Sequence, residues 1–140
     1  MKIYDAKGAV FGRLAAKVAK DLLTGEEVQV INTAHSVLSG KPEYHKEKMT
    51  IHRGMIDKKD PEKVEKFPRV PYMLFKKSVS GMLPKKSQRG RDALKRLKAY
   101  DEVPEGIDVS NAEVHKNAMK EGFAKSMTLG DLCRAFGYKN

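Results

Sequence analysis

Most of the residues in this 140-residue chain that could do chemistry stand at the wrong spacing for it. Gly8 and Gly12 follow an apolar stretch and precede a helical pattern, where glycines can open a helix N-terminus to a phosphate. The spacing is not G-x-G-x-x-G, and Asn32 stands where a dinucleotide site would place an acid after its second strand. We read the pair as a tight strand-to-helix turn with close packing. Ser39-Gly40-Lys41 has the form of a P-loop tail, but that motif needs Gly at 35 and Ser or Thr at 42, where the chain has His35 and Pro42. His45 and His52 lie in HKEKMTIH, which is not H-E-x-x-H and offers no metal-ligand spacing. They read as surface or polyanion-facing histidines. Cys133 falls beside Leu132 in an apolar helical pattern and reads as a core residue, not a nucleophile. No acid–base pair or triad emerges, so the residues give no support to catalysis, to a metal site or to a bound cofactor.

The chemistry that survives is electrostatic. The formal net charge is +10, and residues 76–100 hold nine Lys and Arg against the single acid Asp92, whereas the last forty residues are net acidic. A local excess raises the potential over one surface and points to a polyanion. A basic face that serves only solubility would carry interspersed acids at i,i+4 spacing. A helix over Arg89–Lys98 would place Gly90, Ala93, Leu94 and Leu97 on one arc for the core. Arg91, Lys95 and Lys98 would form a second stripe, with Arg89 and Arg96 flanking the apolar arc. Ahead of it, Lys85 and Lys86 sit in LPKKSQRG beside backbone N–H groups suited to phosphate oxygens. Nothing resembles a zinc finger, a repeated recognition helix or an RNP aromatic pair. That favours recognition of folded RNA by shape and phosphate.

These side chains need elements to hold them. Lys2–Ala6 reads as a strand. Phe11, Leu14, Ala15, Val18, Ala19 and Leu22 form a helical stripe, with Arg13, Lys17 and Lys20 on another face and Gly25 as the stop. Val28–Asn32 follows as a β-branched strand. Strand, helix, strand in about 30 residues predicts a βαβ unit and a parallel sheet with a right-handed crossover. Residues 41–56 look partly helical. Asp57–Pro71, charged and holding Pro61, Pro68 and Pro71, reads as a surface excursion. Beyond Pro71 a helix with Met73, Leu74, Val79 and Met82 on its apolar face ends at Leu83-Pro84. A short strand is predicted at Lys98–Tyr100. Thr128 with Asp131 has the form of an N-cap opening a helix over Leu129–Phe136 that stops at Gly137.

The totals agree with one domain over residues 1–140 that can bury a core without staples. One cysteine leaves no internal disulfide, which suits a reducing compartment. No apolar run approaches a membrane span, and MKIYDAKG lacks a signal-peptide core, so the expected location is cytoplasmic. With no Trp and few aromatics, extensive base stacking is not expected.

MKIYDAKGAVFGRLA, VQVIN, LSGK and GMLPKKSQRGRDALKRLKAY together resemble the universal family of large-subunit ribosomal protein thirteen, in its archaeal type. The resemblance covers most of residues 1–100 and returns at MTLGDLCRAFGYK. It implies a three-layer α/β/α domain on a four-stranded parallel sheet. It also implies a structural constituent of the large subunit, not an enzyme, that binds large-subunit rRNA, supports assembly and adjoins other large-subunit proteins. The loop and helix after GMLPK would lie against RNA. The candidate RNA contacts are then Arg13, Lys17, Lys41, Arg53, Lys76, Lys77, Lys85, Lys86, Arg89, Arg91, Lys95, Arg96 and Lys98, with no metal, cofactor, membrane or small-molecule substrate. The chain departs from the family at Ser80, where Arg is common, and at Glu102-Val-Pro104, where bacterial members carry His-Pro-His. The acidic tail is expected to pack on the body or face a neighbouring protein. Two alternatives use the same features: a nucleotide-binding α/β enzyme, from the βαβ start, and an mRNA-binding regulator away from the ribosome, from the basic surface.

Overall fold

The computed structural model describes residues 1–64, 66–107, 109–119 and 122–139. Its strands are β1 (Lys2–Asp5), β2 (Val28–Ile31), β3 (Val37–Ser39), β4 (Leu97–Ala99), β5 (Ala112–Glu113) and β6 (Ser126–Thr128). Its helices are α1 (Phe11–Leu23), α2 (Pro42–Gly54), α3 (Pro71–Met82), α4 (Gln88–Lys95) and α5 (Leu129–Ala135). Four strands make a parallel sheet in the order β4-β2-β1-β5, and β3 pairs antiparallel with β6. Helices pack around the parallel sheet in the expected three-layer α/β/α arrangement.

β1 and β2 run side by side from Lys2 opposite Val28 to Asp5 opposite Ile31. Both are central, so Ile3, Tyr4, Val28, Val30 and Ile31 are all buried, as parallel strands covered on both faces require. The predicted α1 stripe is the buried one: Leu14, Ala15, Val18, Ala19 and Leu22 all enter the main core cluster. Gly25, at φ 102°, terminates the turn after α1 in a conformation that side chains disfavour. Gly8 has φ 73° and makes the tight turn after β1, but a Cβ at Gly12 would meet nothing within 4 Å. Close packing is therefore absent at the second glycine, which lies exposed in the first turn of α1.

Three predicted details change. On α3 the buried residues are Pro71, Leu74, Phe75 and Val79, while Met73 and Met82 are 44% and 43% exposed. The helix touches two neighbours. Phe75 and Val79 join the main cluster, and Leu74 joins a second one with Met49, Met127, Leu129, Leu132 and Cys133. Two packing partners widen the apolar arc in a direction that a single stripe does not foresee. Second, among the described residues of 57–70 the backbone is irregular apart from a 3-10 turn at Pro61–Lys63, and the end of the expected excursion is tied to the body. Phe67 packs against the second cluster, and Pro71 is buried as the first residue of α3. Third, the helix expected over Arg89–Lys98 stops at Lys95, and Leu97–Ala99 pairs with β2 instead. A sheet position wins over a helix extension there because Leu97 and Ala99, two apart, are both buried by the strand.

The acidic tail packs on the body. β5 pairs with β1, β6 pairs with β3, and α5 is capped by Thr128, whose side-chain oxygen accepts from the Asp131 N–H at 3.1 Å. Asp101 ties the region down: its carboxylate accepts from the Tyr72 N–H at 2.7 Å, from the Thr33 hydroxyl at 3.0 Å and from the Tyr138 hydroxyl at 2.9 Å.

Candidate RNA interface

The basic stretch begins as α3 ends. Leu83 is buried and anchors the turn, while Pro84, Lys85 and Lys86 are exposed. Ser87 caps α4: its hydroxyl oxygen accepts from the Gly90 N–H at 3.2 Å and donates to the Pro84 carbonyl, which also takes the Ser87 N–H. Gly90 is fixed by this arrangement, because a Cβ there would come within 2.2 Å of the Pro84 carbonyl oxygen. The first turn of α4 therefore rests directly on the backbone of the Pro-Lys-Lys turn and sets where both lysines sit. Gly90 and Ala93 are buried and Leu94 packs against the main cluster, as the predicted apolar arc requires.

The structure divides the thirteen candidate residues by what each already holds. Lys85, Lys86, Arg91, Lys95 and Lys98 are exposed on the turn, on α4 and on the edge strand β4. Arg91 donates to the Gln88 side-chain oxygen at 2.9 and 3.2 Å, and Lys95 lies 3.7 Å from Asp92. Both contacts are at the surface, where such pairs contribute little and exchange readily. Lys98 lies on β4 and not on the helical stripe with Arg91 and Lys95. Arg89 and Arg96 do something else. Arg89 donates to the Leu23 carbonyl at 3.0 Å and Arg96 to the Leu22 carbonyl at 2.9 Å. These are carbonyls at the C-terminus of α1, where the helix end favours a positive charge, and that of Leu22 also accepts the Gly25 N–H. The two arginines thus clamp α4 to the end of α1.

Other candidates are dispersed. Lys17 sits 3.0 Å from Asp21 within α1, and Arg13 lies over the Phe123 ring at 5.8 Å. Arg53 donates to the Phe67 carbonyl at 3.0 Å, Lys77 lies 5.0 Å from the Phe67 ring centre, and Lys76 lies 5.8 Å from that of Tyr72. Lys41 is exposed just ahead of α2. Sequence reasoning did not single out Lys48. It lines a cleft of about 360 Å³ between α2 and α3, together with His45, His52, Lys77 and an apolar floor. The low periodicity of α2, which buries only Met49, hides this face from a pattern search.

The nucleotide-enzyme alternative meets an obstacle in the backbone. In an open parallel sheet a nucleotide would sit beyond the carboxyl ends of the strands, where the order reverses between β1 and β5. That place is filled by the chain: Ala118 is fully buried, its carbonyl accepts from the Val10 N–H at the start of α1, and Ala9 bridges to Met119. Cys133 is buried and its thiol pKa is pushed up to about 12, by burial first and by the Asp101 charge second, so the reactive thiolate is disfavoured.

Comparison with known proteins agrees with the geometry. The family described as Ribosomal protein L13 matches residues 1–105. The chain is 41% identical to the large ribosomal subunit protein uL13 of Methanopyrus kandleri, covering 98% of this chain and 87% of that one. It is 38% identical to the protein of the same name from Archaeoglobus fulgidus, covering 98% and 88%. With that from Methanococcoides burtonii it shares 39% identity over 99% of both chains. A match over three quarters of the sequence, relatives aligned nearly end to end and the parallel α/β sheet lead to one conclusion: this chain belongs to the ribosomal protein L13 family.

Proposed function

We propose that this protein is a structural constituent of the large ribosomal subunit, working in the cytoplasmic ribosome and not as an enzyme, that binds large-subunit rRNA and supports subunit assembly. The observation that carries this reading is the group formed by Lys85, Lys86, Arg91, Lys95 and Lys98, all exposed and held by a turn, a helix and an edge strand that are fixed to one another. Lysines supply long-range charge and arginine a planar fork for phosphate oxygens. Neighbouring large-subunit proteins are the other partners, and residues 101–115, which carry five acids and no Lys or Arg, have the opposite charge.

Salt titration tests the reading. Five phosphate contacts give a slope of roughly −4 in log affinity against log salt on a folded large-subunit rRNA transcript. Changing Arg91, Lys95 and Lys98 together to Gln flattens the slope by about 2 without lowering the melting temperature. An unchanged slope in that variant would remove this surface from the interface.

A further inference from the structure

α2 carries apolar side chains on two opposite faces, and the fold uses only one of them. Met49, on the inner face, is buried in the second core cluster. At about 100° per residue, Tyr44, Glu47 and Ile51 share the arc opposite Met49, and Met55 and Ile56 continue it past the end of the helix. Tyr44, Ile51, Met55 and Ile56 are 54% to 74% exposed. Single exposed apolar residues need no partner, but a row of them rimmed by charge marks an interaction surface. Resting on the large-subunit reading above, we propose that this outer face of α2 docks a neighbouring protein of the large subunit, one that presents a lysine or arginine beside an apolar ridge.

The charges on the face select the class of partner. Glu43 and Glu47 stand one turn apart along its flank, both exposed, and neither forms an ion pair among the described residues. Like charges at i,i+4 oppose the helix that carries them, and a cation from outside relieves that conflict. An RNA phosphate would add a third negative charge beside the two carboxylates. That sets this face apart from the basic turn and α4. A groove of about 300 Å³ runs along the outer face, lined by Tyr44, Glu47, Lys48, Ile51 and His52. Apolar sides with a carboxylate between them match a long basic side chain. Its methylene stem lies along Tyr44 and Ile51 while its head reaches Glu47. By the same helical count Lys48 lies across the groove from Glu47, which keeps the incoming cation on the acidic side. A second copy of this chain is the poorer match, because its densest group of cations, on the basic turn and α4, is assigned to rRNA in the reading above.

The tests use the full-length protein. With a photoreactive benzoylphenylalanine in place of Ile51, the chain is assembled into large subunits and irradiated. The expected adduct resists ribonuclease, contains one large-subunit protein, and maps to a peptide in which Lys or Arg lies beside apolar residues. A ribonuclease-sensitive adduct, an adduct with a second copy of this chain, or no adduct overturns the proposal. Glu47→Lys supplies the charge test. It sets a cation four residues after Glu43, an arrangement that supports the helix, so the melting temperature should hold. Its affinity for large-subunit cores depleted of this protein should fall by at least about tenfold, with no fall on the naked rRNA transcript. Ile51→Ser, at an exposed position, should likewise weaken core binding and spare the transcript. Wild-type affinity for the cores in both variants, or an equal loss on the transcript, overturns the proposal. The function reading fails separately: if the wild-type protein binds neither transcript nor cores, both readings fall. If it binds both and the two variants match it, only the docking face is withdrawn.

Discussion

Asp21 is the residue where burial and charge meet most directly. It is buried on α1, accepts from the Tyr4 hydroxyl at 2.7 Å, and pairs with Lys17 at 3.0 Å and Lys2 at 3.5 Å. Burial works to raise its pKa, but the hydrogen bonds from Tyr4 and Lys17 and the charges of Lys17 and Lys2 outweigh it, so the carboxyl lies below its ordinary value. A depressed folded pKa contributes stability that is present above the unfolded value near 4 and lost as pH falls through the folded one. Asp21→Asn should therefore cost about 1–3 kcal/mol at neutral pH and flatten the acid limb of a denaturation curve below pH about 4. Tyr4 acts in the opposite direction. Burial first, then the Asp21 hydrogen bond and charge, raise its pKa well above the ordinary range. Its contribution is present below the unfolded value near 10 and is lost as pH rises beyond it, a loss that Tyr4→Phe should remove. Cys133 gives a simple check on burial: alkylation by iodoacetamide should be slow in the native state and rapid once the protein is unfolded.

At the scale of elements, α4 is short, and its position depends on contacts outside itself. An eight-residue helix is marginal alone, so the Ser87 cap, the Gly90 approach to Pro84 and the arginine clamp on α1 decide where its cations stand. Gly90→Ala should displace the Pro84–Ser87 turn. We expect a loss of about 1–3 kcal/mol from overpacking together with weaker rRNA binding, read by thermal melting and filter binding. Arg89→Gln and Arg96→Gln should behave differently from Arg91→Gln. Each of the first two lowers stability by about 1–2 kcal/mol and leaves the salt slope nearly intact, because its charge is spent on α1 carbonyls. The third flattens the slope and spares the melting temperature. A reversed pattern would return the two arginines to the phosphate-binding set.

For the whole molecule, the decisive feature is how late the chain completes its core. The family match ends at residue 105, but β5 closes one edge of the sheet by pairing with β1. Met127, Leu129, Leu132 and Cys133 supply most of the cluster beneath Leu74 and Met49. A chain ending at Glu105 should therefore fail to give a cooperative melt, because it leaves β1 unpaired on one side and half of the second cluster in water. Restoring residues 106–140 in trans as a separate peptide should recover folding only weakly, since association then has to offset lost translational freedom.

The sequence by itself determined the βαβ start, the α1 stripe, the ends of α1 and α3, the cap of α5 and the location of the positive charge. Those features are local: a period, a glycine or proline, a capping side chain, or a count of charges within 25 residues. Only tertiary structure decided that α4 stops at Lys95, so that the strand expected at Lys98–Tyr100 begins at Leu97, and that Phe75 displaces Met73 from the core. It alone separated Arg89 and Arg96, bound to the end of α1, from Arg91, which is not. Each of those outcomes depends on a partner more than ten residues away: β2 for β4, α1 and α5 for α3, and the Leu22 and Leu23 carbonyls for the arginines. Charge can be counted along a chain. Whether a given charge is available to a phosphate depends on what folds up beside it.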